Sequence, residues 1–279
     1  MISRMISAAA RALLVAMVIV LPSMALPSVA ADSTQVVSLI AFVAAGLTFV
    51  EYFSTYPSIV EFRDAPPFNR LRFLGVLFAV MALTMICRDK VDSGPLTAMA
   101  FGIGTQIGHI LDFPYSPVRM VVLMLPSDAP LSAVGALRTA AGVAYLLSII
   151  TLGLFLYSVY RRNWPNRSGT FNVWVNLPLF DPTAGGDVLY RLKRDANVNI
   201  ALGFLLPFLI PAAIKMASDA FDPLTLVNPQ TLVWCMTAWA FLPTSLLMRG
   251  VALGRVADMI ERKRKRAYAK AEQLHSQAA

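Results

Sequence analysis

Residues 34–53 read TQVVSLIAFVAAGLTFVEYF, an apolar stretch in which the first charged side chain is Glu51. A helix of this length covers about 30 Å, which is the thickness of the hydrocarbon core of a bilayer. The stretch therefore predicts a membrane-spanning helix, with Glu51 and Tyr52 at the depth of one interface.

Four further segments have the same character, at residues 71–87, 131–160, 198–217 and 231–250. Hydrophobic residues make up 57% of the chain and charged residues 14%, whereas soluble domains carry roughly 25% charged residues. Blocks of about twenty apolar residues between polar connectors are typical of spanning helices. We therefore expect an all-α, polytopic transmembrane helix bundle with five full spans.

The N-terminal residues 1–31 have the three parts of a secretory signal peptide. Arg4 and Arg11 form a basic start, Leu13–Leu21 is a short apolar run, and small residues follow Pro22. The run is short for a 30 Å core, and a proline is expected to break the helix. Cleavage would leave the mature N-terminus outside. An uncleaved first span is the alternative.

Basic residues concentrate in the loops at 54–70 and 161–197 and in the tail at 255–279. The positive-inside rule predicts that all three are cytoplasmic and that residues 32–254 form a single transmembrane bundle. The tail lacks the interleaved aromatic residues of a nucleic-acid surface, so we expect anionic lipid headgroups as its partner. The residues expected to contact them are Arg262, Lys263, Arg264, Lys265 and Arg266.

This orientation requires residues 94–130 to leave and return to the outer side. Residues 96–112 are just long enough to cross, but about ten residues between Pro117 and Pro126 are too few. The segment therefore forms either a broken or re-entrant hairpin or, if both arms cross, two further spans, which would make seven. Non-helical backbone at this depth must be enclosed by protein or line a wet cavity.

The first arm of this hairpin carries a polar stripe of Thr105, Gln106, His109 and Asp112. Helical spacing places most of these side chains on one face, and polar groups in a span are expected to face the bundle interior. One interpretation is interhelical packing, and the other is a site that handles a proton or a solute. The pair Gly104 and Gly108 has the G-x-x-x-G spacing of close helix packing.

The loop at 161–197 contains the aromatic residues Phe171, Trp174, Phe180 and Tyr190. Alternation over residues 171–175 predicts a short strand, and the spacing of Val188, Leu189 and Leu192 predicts an amphipathic helix. The aromatic residues form either an interfacial belt or a docking surface for a partner. The sequon at Asn166 lies in a loop assigned to the cytoplasm, which argues against glycosylation.

No catalytic motif, metal-ligand spacing or cofactor signature is present in the sequence. Cys87 and Cys235 lie alone in apolar runs, and the second histidine, His275, lies in the polar tail, so a bis-histidine haem is excluded. We therefore expect a bacterial inner-membrane protein that acts as a non-enzymatic accessory, assembly or scaffolding subunit. Its partner would be another membrane protein or a second copy of the chain. The alternative is a small transporter or channel that uses the polar stripe.

Overall fold

The structure is a computed structural model that describes residues 1–27, 30–89, 92–165, 171–181, 185–217, 225–226 and 228–278. Ser28 of the predicted cleavage site and the sequon Asn166 lie outside these residues. Within them the fold is all-α. The helices are α1 (Ile2–Ala25), α2 (Ala31–Phe53), α3 (Phe68–Asp89), α4 (Pro95–Leu111), α5 (Pro117–Leu123), α6 (Leu131–Arg161), α7 (Val173–Asn176), α8 (Val188–Met216) and α9 (Pro229–Ala278).

Six of these helices are long and apolar enough to cross a membrane, namely α1, α2, α3, α6, α8 and α9. The predicted transmembrane helix bundle is therefore confirmed. The sixth member is α1, which is helical over 24 residues and contains Pro22 in its interior. The expectation that Pro22 ends this helix was wrong, because a proline removes one hydrogen bond of the ladder while the neighbouring turns keep theirs.

Antiparallel contacts between α3 and α6 and between α8 and α9 define two ends of the bundle. A Cβ on Gly75, near the start of α3, would meet Thr151 near the end of α6, and one on Gly203 of α8 would meet Leu247 of α9. Loop 54–67, the segment after α6 and the C-terminal part of α9 lie at one end, which we call the basic end. Ser23 of α1 and Gln230 of α9 are hydrogen-bonded at the opposite end.

The segment between α3 and α6 is re-entrant. The end of α3 and the start of α6 both lie at the end of the bundle opposite the basic end. The connection formed by α4 and α5 therefore begins and finishes at that end. A Cβ on Gly104 of α4 would meet Thr139 and Val143 in the first half of α6, together with Ile86 near the end of α3. The seven residues of α5 cover about 10 Å, too little to cross. The alternative with two further full spans is therefore not adopted.

Two of the predicted spans are longer than expected. The helix predicted over 198–217 begins at Val188, and the one over 231–250 continues to Ala278. Val256 and Ala257 are buried, so the predicted boundary at residue 254 falls inside packed structure. The predicted strand is also wrong. The Asn172 side chain accepts a hydrogen bond from the Trp174 amide at 3.0 Å, which starts the helical turn α7 instead.

Candidate functional site

The part of the polar stripe that lies within α4 does not face the bundle interior. Gln106 and His109 are exposed, and the Thr105 hydroxyl donates to the carbonyl of Phe101 in its own helix at 2.9 Å. The buried face of α4 is the glycine face. Burying it allows closer packing than a face that carries polar side chains. The interpretation of the stripe as a transport lining therefore lacks the enclosure by protein that it needs.

Gly104 and Gly108 lie where α4 crosses α6. A Cβ on Gly108 would come within 2.9 Å of the Arg138 carbonyl oxygen and 3.0 Å of Thr139 Cα. From the other side, a Cβ on Gly142 would come within 2.6 Å of Gly108 Cα. The two backbones are thus in direct contact at this crossing, and side chains on either glycine would separate them.

The Asp112 side chain has arginine partners, and among the described residues no hydrogen bond joins it to the His109 ring. Arg138 Nε donates to Asp112 Oδ2 at 2.7 Å, and Arg119 Nε lies 3.1 Å from Oδ1. The contact with Arg119 has the distance of an ion pair but not the geometry of a hydrogen bond. Asp112 Oδ1 is therefore a buried oxygen without a hydrogen bond. The Asp112 side chain is 6% exposed and joins the end of α4 to α5 and α6. This arrangement can fasten the re-entrant hairpin to the bundle.

The two loops at the basic end fold together into one unit, which we call the basic-end cap (residues 54–67 and 162–181, where described). The Phe62 amide donates to the Asn176 carbonyl at 2.7 Å, and Trp164 Nε1 donates to the Ala65 carbonyl at 3.0 Å. Trp164 is 3% exposed and packs against the rings of Phe62, Phe68 and Phe155, with centroid distances of 5.5, 6.3 and 5.3 Å.

The four aromatic residues predicted for the partner surface differ in their burial. Phe171 packs against the cap core, and Phe180 is buried under the guanidinium of Arg191, whose Cζ lies 4.8 Å from the ring centroid. Trp174 and Tyr190 are 59% and 67% exposed. Phe171 and Phe180 therefore pack within the cap, whereas Trp174 of the cap and Tyr190 of α8 remain available at the surface.

The basic end also holds a cavity of about 1460 Å³ between α1, α2, α3, α8, α9 and the cap. We call it the arginine cleft because five arginines line it: Arg11, Arg63, Arg70, Arg72 and Arg249. Two carboxylates, Glu61 and Asp64, line it as well. Arg63 and Arg70 belong to the basic loop at 54–70, whose charge predicts orientation by the positive-inside rule but not a cleft. A usable signal was present, because Arg72 and Arg249 fall inside the end turns of apolar segments, where a charge needs a partner.

Ion pairs tie the C-terminal part of α9 to the start of α8. Lys193 Nζ lies 2.7 Å from Glu261 Oε2, and Arg264 Nη1 donates to Asp187 Oδ1 at 2.9 Å. The hydrogen bond from Arg264 and that from the Leu189 amide lower the pKa of the Asp187 carboxyl. Arg264 and Lys265, two of the five predicted headgroup residues, are thus paired with carboxylates. For Arg262, Lys263 and Arg266 no ion pair is found among the described residues.

Within the described part of the chain, no group of three or more His, Cys, Asp or Glu side chains is arranged to hold a metal ion. No protein-family model matches the chain, and no curated protein or solved structure shows a significant match to it. The class therefore follows from the fold, which is that of an integral membrane protein built as a helical bundle.

Proposed function

We propose that this protein is a non-enzymatic accessory, assembly or scaffolding subunit that binds a protein partner at its basic end. The observation that carries the proposal is the extension of α9 beyond its spanning part. The helix continues from residue 250 to Ala278, and its last residues with described side chains are exposed. A long exposed helix on a folded cap gives a partner a preformed surface, which lowers the entropic cost of binding.

The length of α9 favours a protein partner over headgroup contact for this extension. Arg262 lies about 18 Å along the helix from residue 250, at 1.5 Å per residue. The headgroup layer is about 5–8 Å thick on each side of the core. A helix that continues along its spanning direction therefore carries its basic residues past the headgroups. Ion pairs to Lys193 and Asp187 support that direction by joining α9 to α8.

The exposed aromatic residues Trp174 and Tyr190 contribute to the same proposed surface. Trp174 lies in α7, whose Val173 packs against the cluster that contains Val256 and Ala257 of α9, and Tyr190 lies in the first turn of α8. Tryptophan and tyrosine are enriched among residues that dominate binding energy at interfaces. We further propose the bacterial inner membrane as the location, with the basic end in the cytoplasm, in accord with the positive-inside rule.

The test is purification of the full chain in mild detergent, followed by quantitative mass spectrometry of co-purifying proteins. We expect a partner in fixed stoichiometry with the wild-type chain. Trp174→Ala, or truncation after Arg266, should lose that partner at unchanged abundance of the protein itself. The truncation leaves the pairs of Glu261 and Arg264 in place, so the packed part of α9 is retained.

The matched control is Tyr115→Ala, which removes an aromatic side chain that is 90% exposed in the turn between α4 and α5, away from the basic end. This variant should keep the partner. A partner retained by both basic-end variants would exclude this surface as its binding site. A protein that purifies with no stoichiometric partner would argue against an accessory role.

A further inference from the structure

We propose that the arginine cleft binds the phosphate headgroup of an anionic lipid or a similar anionic amphiphile. This inference goes beyond the proposed partner binding and does not depend on it. It rests on a cavity between the helices, whereas the partner surface lies on the exposed α9 extension and the cap.

The charges in the cleft are not balanced. Its five arginines face two carboxylates, and each carboxylate already has a partner. Arg249 binds Glu61 in a bidentate pair, and Arg63 Nε lies 3.2 Å from Asp64 Oδ1. Among the described residues, Arg11, Arg70 and Arg72 have no carboxylate within 4.0 Å, and the Glu61 charge that Arg72 senses is already paired with Arg249. Cations in a partly enclosed site at the end of the spanning helices are stabilised by a bound anion.

The contacts of Arg72 and Arg11 hold these guanidinium groups without neutralising them. Arg72 Nε donates to Ser245 Oγ at 3.3 Å, and its Nη1 lies 3.5 Å from Asn69 Oδ1. Arg11 Cζ lies 4.7 Å from the centroid of the Tyr52 ring, and its Nη1 donates to the Ser7 carbonyl at 2.9 Å. These partners carry no formal charge. The planar guanidinium group binds phosphate oxygens with two parallel hydrogen bonds, so it suits a phosphate ligand.

The rest of the cleft is suited to acyl chains. The residues that follow the arginines away from the basic end are aliphatic, with Leu14 one turn beyond Arg11 on α1 and Leu74 two residues beyond Arg72 on α3. On α9, Leu246 and Leu242 lie one and two turns from Arg249. The cavity exceeds the 300–1000 Å³ typical of small-molecule pockets. Charge at one end and an aliphatic wall beyond it match an amphiphile better than a soluble anion.

The experiment uses the full chain purified in a neutral detergent and measures lipid binding by native mass spectrometry. Phosphatidylglycerol and phosphatidylcholine are the lipid probes, and water-soluble glycerol 3-phosphate tests the headgroup alone. We expect retention of phosphatidylglycerol in preference to phosphatidylcholine. Arg72→Gln should weaken phosphatidylglycerol binding about tenfold or more, the scale of one charge-assisted hydrogen bond.

Two further variants make the result specific to the cleft. Arg70 is exposed, so Arg70→Gln should weaken the same binding even if Arg72→Gln prevents folding. Arg88→Gln removes an equal charge at the other end of α3, where Arg88 is paired with Asp92, and should leave binding unchanged. Equal retention of the two lipids, or binding unaffected by both cleft variants, would overturn the proposal. Tight binding of glycerol 3-phosphate alone would identify a soluble anion as the ligand and overturn the lipid assignment.

Discussion

Arg249 on α9 binds the carboxylate of Glu61 with two hydrogen bonds, Nε to Oε2 at 2.6 Å and Nη2 to Oε1 at 2.8 Å. The Glu61 side chain is 9% exposed, so the pair is largely removed from solvent. One partner belongs to a spanning helix and the other to the basic-end cap. The pair therefore couples the position of the cap to the packing of the bundle.

Removing one member of this pair should destabilise the protein. Glu61→Gln leaves the Arg249 guanidinium without its counter-charge, and breaking a buried pair in this way costs about 3–5 kcal/mol. We expect the lower end of that range because the Arg249 side chain is 29% exposed. A double-mutant cycle with Arg249→Gln, measured by thermal unfolding in detergent, gives the coupling energy. The Arg88–Asp92 pair, which is 44% and 64% exposed, is the control and should couple by less than about 1 kcal/mol.

Gly108→Ala should disrupt the contact between α4 and α6. The added methyl group would lie 2.9 Å from the Arg138 carbonyl oxygen and 3.0 Å from Thr139 Cα, which is closer than van der Waals contact. Backbone atoms cannot relieve this overlap by a rotamer change, as a side chain could. Overpacking of this kind costs about 1–3 kcal/mol. Gly102→Ala on the same helix is the control, because nothing lies within 4 Å of its added Cβ. Equal unfolding temperatures for the two variants would contradict the proposed packing role of Gly108.

Substitutions in the polar stripe should lower stability in proportion to the burial of the side chain that is replaced. Asp112→Asn keeps the shape of the side chain but removes the charge opposite Arg138 and Arg119, so we expect a loss of about 1.5–3 kcal/mol. His109→Ala should change stability by less than about 0.5 kcal/mol, since His109 is exposed. Unfolding temperature and abundance in membranes measure both effects. A large loss for His109→Ala with none for Asp112→Asn would restore the histidine as the centre of this segment.

The spanning helices could be predicted from the sequence because an apolar segment of about twenty residues has few alternatives in a bilayer. Their extensions could not. Hydropathy detects the part of α9 that crosses, whereas its continuation is stabilised by pairs such as Lys193 with Glu261, which are far apart in sequence. The basic-end cap could not be predicted for the same reason, since the hydrogen bond from the Phe62 amide to the Asn176 carbonyl joins two loops that are far apart in sequence.

The orientation of α4 was mispredicted for a different physical reason. Burial of polar side chains and burial of the glycine face were competing outcomes on one helix. The close approach of Gly108 to Gly142 buries the glycine face, and Asp112, the last member of the stripe, contacts its arginines from beyond the end of the helix. The sequence shows both faces but does not show which of them the neighbouring helix can approach more closely.

Asp187 should hold the start of α8 independently of pH across the physiological range. Its folded-state pKa lies below the ordinary value of 3.8, because Arg264 and the Leu189 amide donate to the carboxylate. Its contribution to stability is therefore fully present above about pH 4 and is lost as the pH falls through the folded-state pKa. Hydrogen exchange corrected for intrinsic rates should give the same protection of the first turn of α8 at pH 7 and pH 5. Asp187→Ala should lower that protection, while Asp187→Asn keeps the helix cap and weakens the contact with Arg264 alone. Protection that disappears between pH 7 and pH 5 in the wild-type chain would show that another group with a higher pKa controls this junction.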